Sequence, residues 1–295
     1  MEQIEKNNLK LIIGKDGFIA QELVRELESR KLPFLCTSRR EVGKNILPLD
    51  LQNMEDSFFT AIPKNSIVYL LAAISSPDLC ERNYEYARKI NVDATCSFIE
   101  RCLKKDLRVC FASTDAIFGR NRGTSVDDTE PLPVGSYALM KAEVEKVFNL
   151  ERNFKAVRFS YVLSHNDKFT EYLKKCVKED KVAELYDPFI RSVVCLQDVI
   201  TALINLDNKW YVVPSKINFA GPHPVCREQI ALAFQRNYDS RLTFKTTTPP
   251  ESFFETRPRQ IIMESIQFTK LLGRRALNLD ETYSYYSKFN AEINK

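Results

Sequence analysis

The chain has 295 residues, 44% of them hydrophobic and 28% charged, with a formal net charge of +4. A chain of this length buries a sizeable core as one large or two closely joined domains, and its composition excludes a disordered protein. The small charge, with no block of Lys and Arg interleaved with aromatics, argues against nucleic acid as a partner; no apolar run reaches the roughly 18 residues of a membrane span, and the start Met1-Glu2-Gln3-Ile4-Glu5-Lys6 lacks the regions of a signal peptide, so a cytoplasmic protein outside the membrane is expected.

Residues 9–13 predict a strand, followed by Gly14-Lys15-Asp16-Gly17-Phe18-Ile19-Ala20 and an amphipathic helix over 18–31. Two of only 8 glycines fall in this turn. Glycines there let the backbone turn sharply and approach a pyrophosphate, whose charge suits the open N–H groups of a helix N-terminus. Gly14, Asp16, Gly17, Phe18 and Ile19 are therefore expected at a dinucleotide.

A second strand over 34–37 runs into Ser38-Arg39-Arg40, with Glu41 beyond. A NAD site is expected to carry an acidic residue near this position, whereas guanidinium groups match a 2′-phosphate, so the reading here is NADP(H). The alternative is that the arginines are a solvated strand end. Asp50 and Leu51, after another short apolar stretch, are placed at the adenine edge. A strand over 67–72 closes on Leu71-Ala72-Ala73, small enough to let the cofactor lie across the sheet.

A helical period over 78–105 leads to a strand over 108–112 and Ser113-Thr114-Asp115; then, behind a glycine-containing loop, Ser136-Tyr137-Ala138-Leu139-Met140-Lys141 opens a helix over 136–153. A tyrosine and a lysine four apart share a helix face, where the ammonium can lower the phenol's pKa. With 12 tyrosines such a spacing arises about once by chance, so its position after the glycine turn and Thr114 carries the argument. A strand over 156–159 follows. Beyond it, prolines at 188, 214, 222, 224, 249, 250 and 258 shorten the elements, leaving a strand and helix at 192–195 and 198–206 and another pair at 216–219 and 226–234. Asp198 is read as a helix cap and His223 as an exposed turn residue.

Alternating, almost wholly apolar strands and helices imply an α/β fold: a Rossmann-type doubly wound parallel sheet with a smaller C-terminal cap. Residues 1–160 are expected to form the dinucleotide-binding domain and 161–295 the substrate-binding region, interleaved with the last sheet strands. Cys36, Cys80, Cys96, Cys102, Cys110, Cys176, Cys195 and Cys226 form no C-x-x-C pair and read as reduced core residues. His165 and His223, the only histidines, are too few for a zinc site or a histidine triad, and no metal is expected.

Taken in order, the glycine turn, Leu71-Ala72-Ala73, Ser113-Thr114-Asp115 and Tyr137-x-x-x-Lys141 resemble the extended short-chain dehydrogenase/reductases, most of all the dTDP-4-dehydrorhamnose reductase branch. The likeness extends through Val157-Arg158-Phe159-Ser160-Tyr161, Ile190-Arg191-Ser192, Phe219-Ala220-Gly221-Pro222 and Arg257-Pro258. It implies Tyr137 as proton donor, Lys141 as its pKa modifier on the nicotinamide ribose, and Thr114 as donor to the substrate carbonyl. It further implies Phe159 and Ser160 beside the nicotinamide, and Asp115, Tyr161, Arg191 and Arg257 toward the substrate. The implied function is NADPH-dependent reduction of a 4-keto nucleotide-sugar in deoxysugar or surface polysaccharide synthesis, and a homodimer is compatible with it. Two alternatives accompany it: a regulatory subunit resembling the beta subunit of methionine adenosyltransferase, and a nucleotide-sugar epimerase or dehydratase. Dehydratases carry an acidic pair after the threonine, whereas here Ala116 follows Asp115. The third glycine is Ala20, Leu70 stands where relatives often have histidine, and no cysteine and histidine pair matches that of the bifunctional epimerase-reductases.

Overall fold

A computed structural model describes residues 9–293 of the chain. The Met1 to Lys6 segment, read above for its lack of a signal peptide, lies outside the described residues. Seven strands form the main sheet: β1 (Lys10–Ile13), β2 (Phe34–Ser38), β3 (Ile46–Pro48), β4 (Ile67–Leu70), β5 (Arg108–Thr114), β6 (Phe154–Phe159) and β7 (Lys216–Phe219). Their spatial order is β7-β6-β5-β4-β1-β2-β3, with β1 paired in parallel to both β2 and β4. Every residue of β1 and β4 is buried, as strands covered on both faces require. The strand order reverses at β1, and in such sheets ligands bind beyond the carboxyl ends of the strands at that point.

Helix α1 (Phe18–Ser29) buries Ala20, Leu23 and Leu27 at helical spacing. Leu11, Ile13, Val68, Leu70, Val109 and Phe111 of the strands share one core with Phe59, Phe98 and Val144 from α2 (Asp56–Thr60) and the helices that follow. Each such side chain contributes about 1.5–3 kcal/mol by leaving water.

The single helix expected over 78–105 is instead four pieces: α3 (Pro77–Arg82), α4 (Tyr84–Arg88), a wide π-helical stretch Lys89–Ala94, and α5 (Thr95–Lys104). Asn83, at φ −128° and ψ 53°, breaks the first junction. Within the π stretch Asn91 is buried and turns inward, its Nδ2 donating to the Ile74 carbonyl and its Oδ1 accepting from the Ile74 N–H, both at 2.9 Å. This clasp fixes the loop after Leu71-Ala72-Ala73. The apolar period is close to that of an α-helix, so the sequence does not distinguish the extra residue per turn. Helix α6 (Ser136–Val147) likewise ends before 153, because Phe148 and Glu151 turn the chain into β6.

The described residues divide into two compact units, the first comprising residues 9–117, Gly135–Arg158 and Trp210–Ile217, the second Phe118–Val134, Phe159–Lys209 and residues 218–293. In the second, Leu163, Leu173, Leu185, Phe234 and Tyr283 form the core. Asp198 does not cap the helix Leu196–Asn208 that contains it; its buried carboxylate accepts from the Leu277 N–H at 2.7 Å and pairs with Arg274. His223 is exposed, as expected. Gly221 has no room for a side chain, since a Cβ there would lie 1.8 Å from the Val193 carbonyl oxygen. Gly221→Ala is expected to destabilise the protein by about 1–3 kcal/mol through forced backbone displacement, and urea unfolding of the purified variant checks it.

All eight cysteines are unpaired thiols, and six of them are fully buried. Among the described residues there is no cluster of His, Cys, Asp and Glu that could hold a metal ion. No helix among them is long and apolar enough to cross a membrane.

Candidate active site

The glycine turn is shaped by close approach to β4. Gly14 has φ +87°, and a Cβ on it would meet the Ala72 Cβ at 2.8 Å. Its N–H donates to Thr37 Oγ1 at 3.1 Å and the Lys15 N–H to the Thr37 carbonyl at 3.0 Å, which ties the turn to β2. Gly17 then starts α1 with no side-chain cap and no acidic residue in the first turn. The open N–H groups of Phe18, Ile19 and Ala20 therefore present a positive helix end suited to a phosphate. These residues fit a dinucleotide: the backbone comes close where a pyrophosphate needs it, and Leu71, whose N–H donates to the Ile13 carbonyl at 3.2 Å, continues the same ledge.

At the end of β2 Ser38 is buried, and its hydroxyl donates to Asp16 Oδ2 at 3.2 Å while accepting from the N–H groups of Arg40 and Glu41. Lys15 bridges Asp16 Oδ1 at 3.2 Å and Glu41 Oε2 at 2.8 Å, and Glu41 is the main reason its pKa is raised. Arg39 and Arg40 are both exposed, the solvated strand end that the sequence left as an alternative. Asp50 accepts from the Gln52 N–H at 3.0 Å and from Asn53, forming a local turn, and Leu51 packs inward.

Thr114 ends β5, and its hydroxyl accepts from the Ala116 N–H at 3.2 Å and lies 3.3 Å from Asp115 Oδ1. Helix α6 packs against this strand. Gly135, at φ 80°, opens the helix without a cap of its own; Glu81 of α3 supplies one, its carboxylate accepting from the Ser136 N–H at 2.7 Å and hydroxyl at 2.8 Å. Tyr137 follows directly and packs against Ile74, Cys80 and Met140. One turn on, the buried Lys141 ammonium donates to the Ala112 carbonyl at 2.7 Å and stands 4.4 Å from the Phe111 ring centroid and 5.9 Å from that of Tyr137. The structure thus brings Thr114, Tyr137 and Lys141 to the carboxyl end of β5.

The electrostatics differ from the sequence expectation. Burial raises the Tyr137 pKa well above the ordinary phenol value, and the Asp115 carboxylate pushes it the same way. Burial brings Lys141 down to about 8, with Glu145 one turn further opposing it. The ammonium is anchored on a carbonyl, and burial sets the direction of the phenol's shift.

Glu145 was not singled out by sequence. It is a buried residue of α6 and takes the Arg158 guanidinium bidentately, Nη2 to Oε2 at 2.7 Å and Nε to both oxygens at 3.1 and 3.2 Å, with side-chain exposures of 0% for Arg158 and 3% for Glu145. The available signal was its place four residues after Lys141 on the same face.

The remaining expected residues lie in the second unit. Phe159 meets the Phe219 ring edge at 5.6 Å, and the buried Ser160 hydroxyl has no hydrogen-bond partner among the described residues. Tyr161 donates to Asp167 Oδ1 at 2.6 Å under the Arg227 guanidinium, 4.6 Å above its ring. Arg191 is buried, with its guanidinium donating to the Ile190 and Pro258 carbonyls at 2.7 Å each, a structural clamp between two chain segments. Arg257 donates to Thr256 Oγ1 at 3.0 Å.

Solved structures share this fold. MoeE5 in complex with UDP-glucuronic acid and NAD matches at 20% identity over 96% of this chain and 99% of its own, with a TM-score of 0.78. UDP-glucuronic acid 4-epimerase from Bacillus cereus, in complex with UDP-glucuronic acid and NAD, matches at 18% identity over 97% and 99%, with a TM-score of 0.79. A dTDP-4-dehydrorhamnose reductase ortholog from Clostridium acetobutylicum matches at 18% over 96% and 99%, with a TM-score of 0.81. No curated protein sequence matches the chain.

Two expectations are thereby corrected. MoeE5 and the Bacillus cereus epimerase are complexes with NAD, not NADP(H), and a further match is an NAD-dependent NDP-hexosamine dehydratase; these epimerase and dehydratase structures overturn the reading of an NADPH-dependent 4-keto reductase. The arginines that prompted NADP(H) stand exposed beyond β2, while the Asp16 carboxylate stands beside Ser38 and that of Glu41 pairs with Lys15. The family model of the RmlD substrate binding domain matches residues 9–207; with the glycine turn, Thr114 and the Tyr137 and Lys141 pair in place, the chain belongs to that family, within the NAD(P)-dependent epimerase/dehydratase superfamily of extended short-chain dehydrogenase/reductases.

Proposed function

We propose that the chain is an NAD-dependent epimerase of a nucleotide sugar, inverting a secondary alcohol by oxidation and return reduction at one carbon. The observation that carries this reading is the Lys141 ammonium held at 2.7 Å on the Ala112 carbonyl, one helical turn from Tyr137 and two residues before Thr114. NAD, when bound, supplies the two-electron acceptor and a positive ring charge.

Tyr137, acting as a phenolate beside the Lys141 ammonium once the cofactor's positive ring is bound, would take the proton of the sugar hydroxyl at its phenolic oxygen and give it back on the return step. Lys141 holds a ribose hydroxyl and keeps a positive charge beside the phenol. Thr114 donates to the oxygen that gains negative charge. Because the cofactor is restored within each cycle, no net oxidant or reductant is needed. Inversion at one carbon also needs neither the second acid of a dehydratase, absent because Ala116 follows Asp115, nor a cysteine and histidine pair. The matched complexes with UDP sugars and NAD support the substrate class.

The test is to incubate the protein with NAD and a panel of UDP and dTDP sugars and to resolve product epimers by chromatography. Interconversion of two epimers without accumulation of NADH is expected; an unchanged panel sinks the reading. A pH dependence follows from the geometry. Asp115 raises the Tyr137 pKa, so Asp115→Asn should lower it and move the acid limb of the pH–rate profile to lower pH. An unmoved limb would show that Tyr137 is not the titrating base.

A further inference from the structure

The cofactor turn contains a carboxylate that the family pattern would place elsewhere. In dinucleotide folds an acidic residue on the strand after the first helix holds the adenosine ribose. Here that strand, β2, ends in Ser38, Arg39 and Arg40. The acid comes instead from the glycine turn: Asp16 lies over the end of β2, held there by the Ser38 hydroxyl at 3.2 Å and by Lys15 at 3.2 Å. Ser38 is itself locked, accepting from the Arg40 and Glu41 N–H groups.

We propose that Asp16, positioned by Ser38, is the group that accepts the adenosine ribose hydroxyls and makes this chain select NAD over NADP. The inference rests on the first unit being a dinucleotide site. A carboxylate offers about four lone-pair sites. Two are used by Ser38 and Lys15, and the Asp16 side chain remains 55% exposed, leaving acceptors toward solvent where the ribose would lie. The local charge also opposes a 2′-phosphate. Asp16 and Glu41 together place two carboxylates around the single Lys15 ammonium, which is paired with both, so the charge beside the turn is net negative. Arg39 and Arg40 exert the opposite pull from exposed positions, where solvent screens them.

Calorimetric titration of the full chain with NAD and with NADP, without sugar, tests this. The wild-type protein is expected to bind NAD about ten- to a hundredfold tighter than NADP, the difference that a charge-assisted hydrogen bond and its loss produce. Asp16→Asn should cut that ratio by about tenfold, by weakening NAD and relieving NADP, and Arg39→Ala with Arg40→Ala should leave NAD affinity unchanged. A ratio unmoved by Asp16→Asn overturns the role of Asp16 while leaving the dinucleotide reading intact. A wild-type preference for NADP, abolished by the arginine variants, overturns it in favour of Arg39 and Arg40. Failure of both nucleotides to bind removes the dinucleotide site, and this assignment with it.

Discussion

Tyr137→Phe is expected to lower epimerisation by about 10²–10⁴-fold, the usual cost of losing a positioned proton-transfer group, while NAD affinity stays within about threefold, or roughly 0.65 kcal/mol. The split between the two effects follows from the packing. The Tyr137 ring is part of an apolar cluster with Ile74, Cys80 and Met140, and phenylalanine keeps that ring. Lys141 is anchored on the Ala112 carbonyl, not on the phenol, so its position does not depend on the hydroxyl. Only proton transfer is removed. Steady-state rates by chromatographic assay, beside calorimetric NAD binding, separate the two quantities. A variant with near wild-type turnover would take Tyr137 out of the chemistry, and one that no longer binds NAD would show the hydroxyl to be structural.

Glu145→Ala should lower the unfolding free energy by about 3–5 kcal/mol, because it removes the carboxylate that pairs a buried guanidinium. Arg158 has 0% side-chain exposure, so its charge is withdrawn from water. The pair joins α6 to β6, and its loss loosens the helix that carries Tyr137 and Lys141. Trp210, the single tryptophan, is buried in the same unit with Arg108 and Lys155 over its ring at 5.6 and 5.1 Å, so its fluorescence in a urea titration reports the transition. Glu145→Leu combined with Arg158→Met should recover most of the lost stability, as apolar replacements of buried pairs do. That double variant still lacks the carboxylate opposing the desolvation of Lys141, whose pKa should fall further below about 8. A loss under 1 kcal/mol in Glu145→Ala would mean that water reaches Arg158.

The residues that the sequence misjudged share one property: their roles depend on partners far along the chain. Arg191 reads equally as a phosphate ligand or as a structural pair until Pro258 is seen to hold its guanidinium, and Asp198 reads as a cap until Leu277 and Arg274 are seen to hold its carboxylate. Arg39 and Arg40 read as a 2′-phosphate site because nothing local announces that Asp16 reaches Ser38 across 22 positions. The break in the helix over 78–105 is of the same kind, since Asn91 leaves α geometry to clasp Ile74.

By itself the sequence determined the alternating strands and helices, the order of β1, the glycine turn and α1, and the Tyr137 and Lys141 face of α6. These depend on periodicity and on backbone freedom within a few residues, which composition writes directly. Tertiary structure alone decided which charges are paired, which are desolvated and in which direction each pKa moves. Burial of Tyr137 reversed the shift expected from its lysine neighbour, because desolvation and Coulomb terms depend on distance and solvent exposure in space, and chain spacing encodes neither.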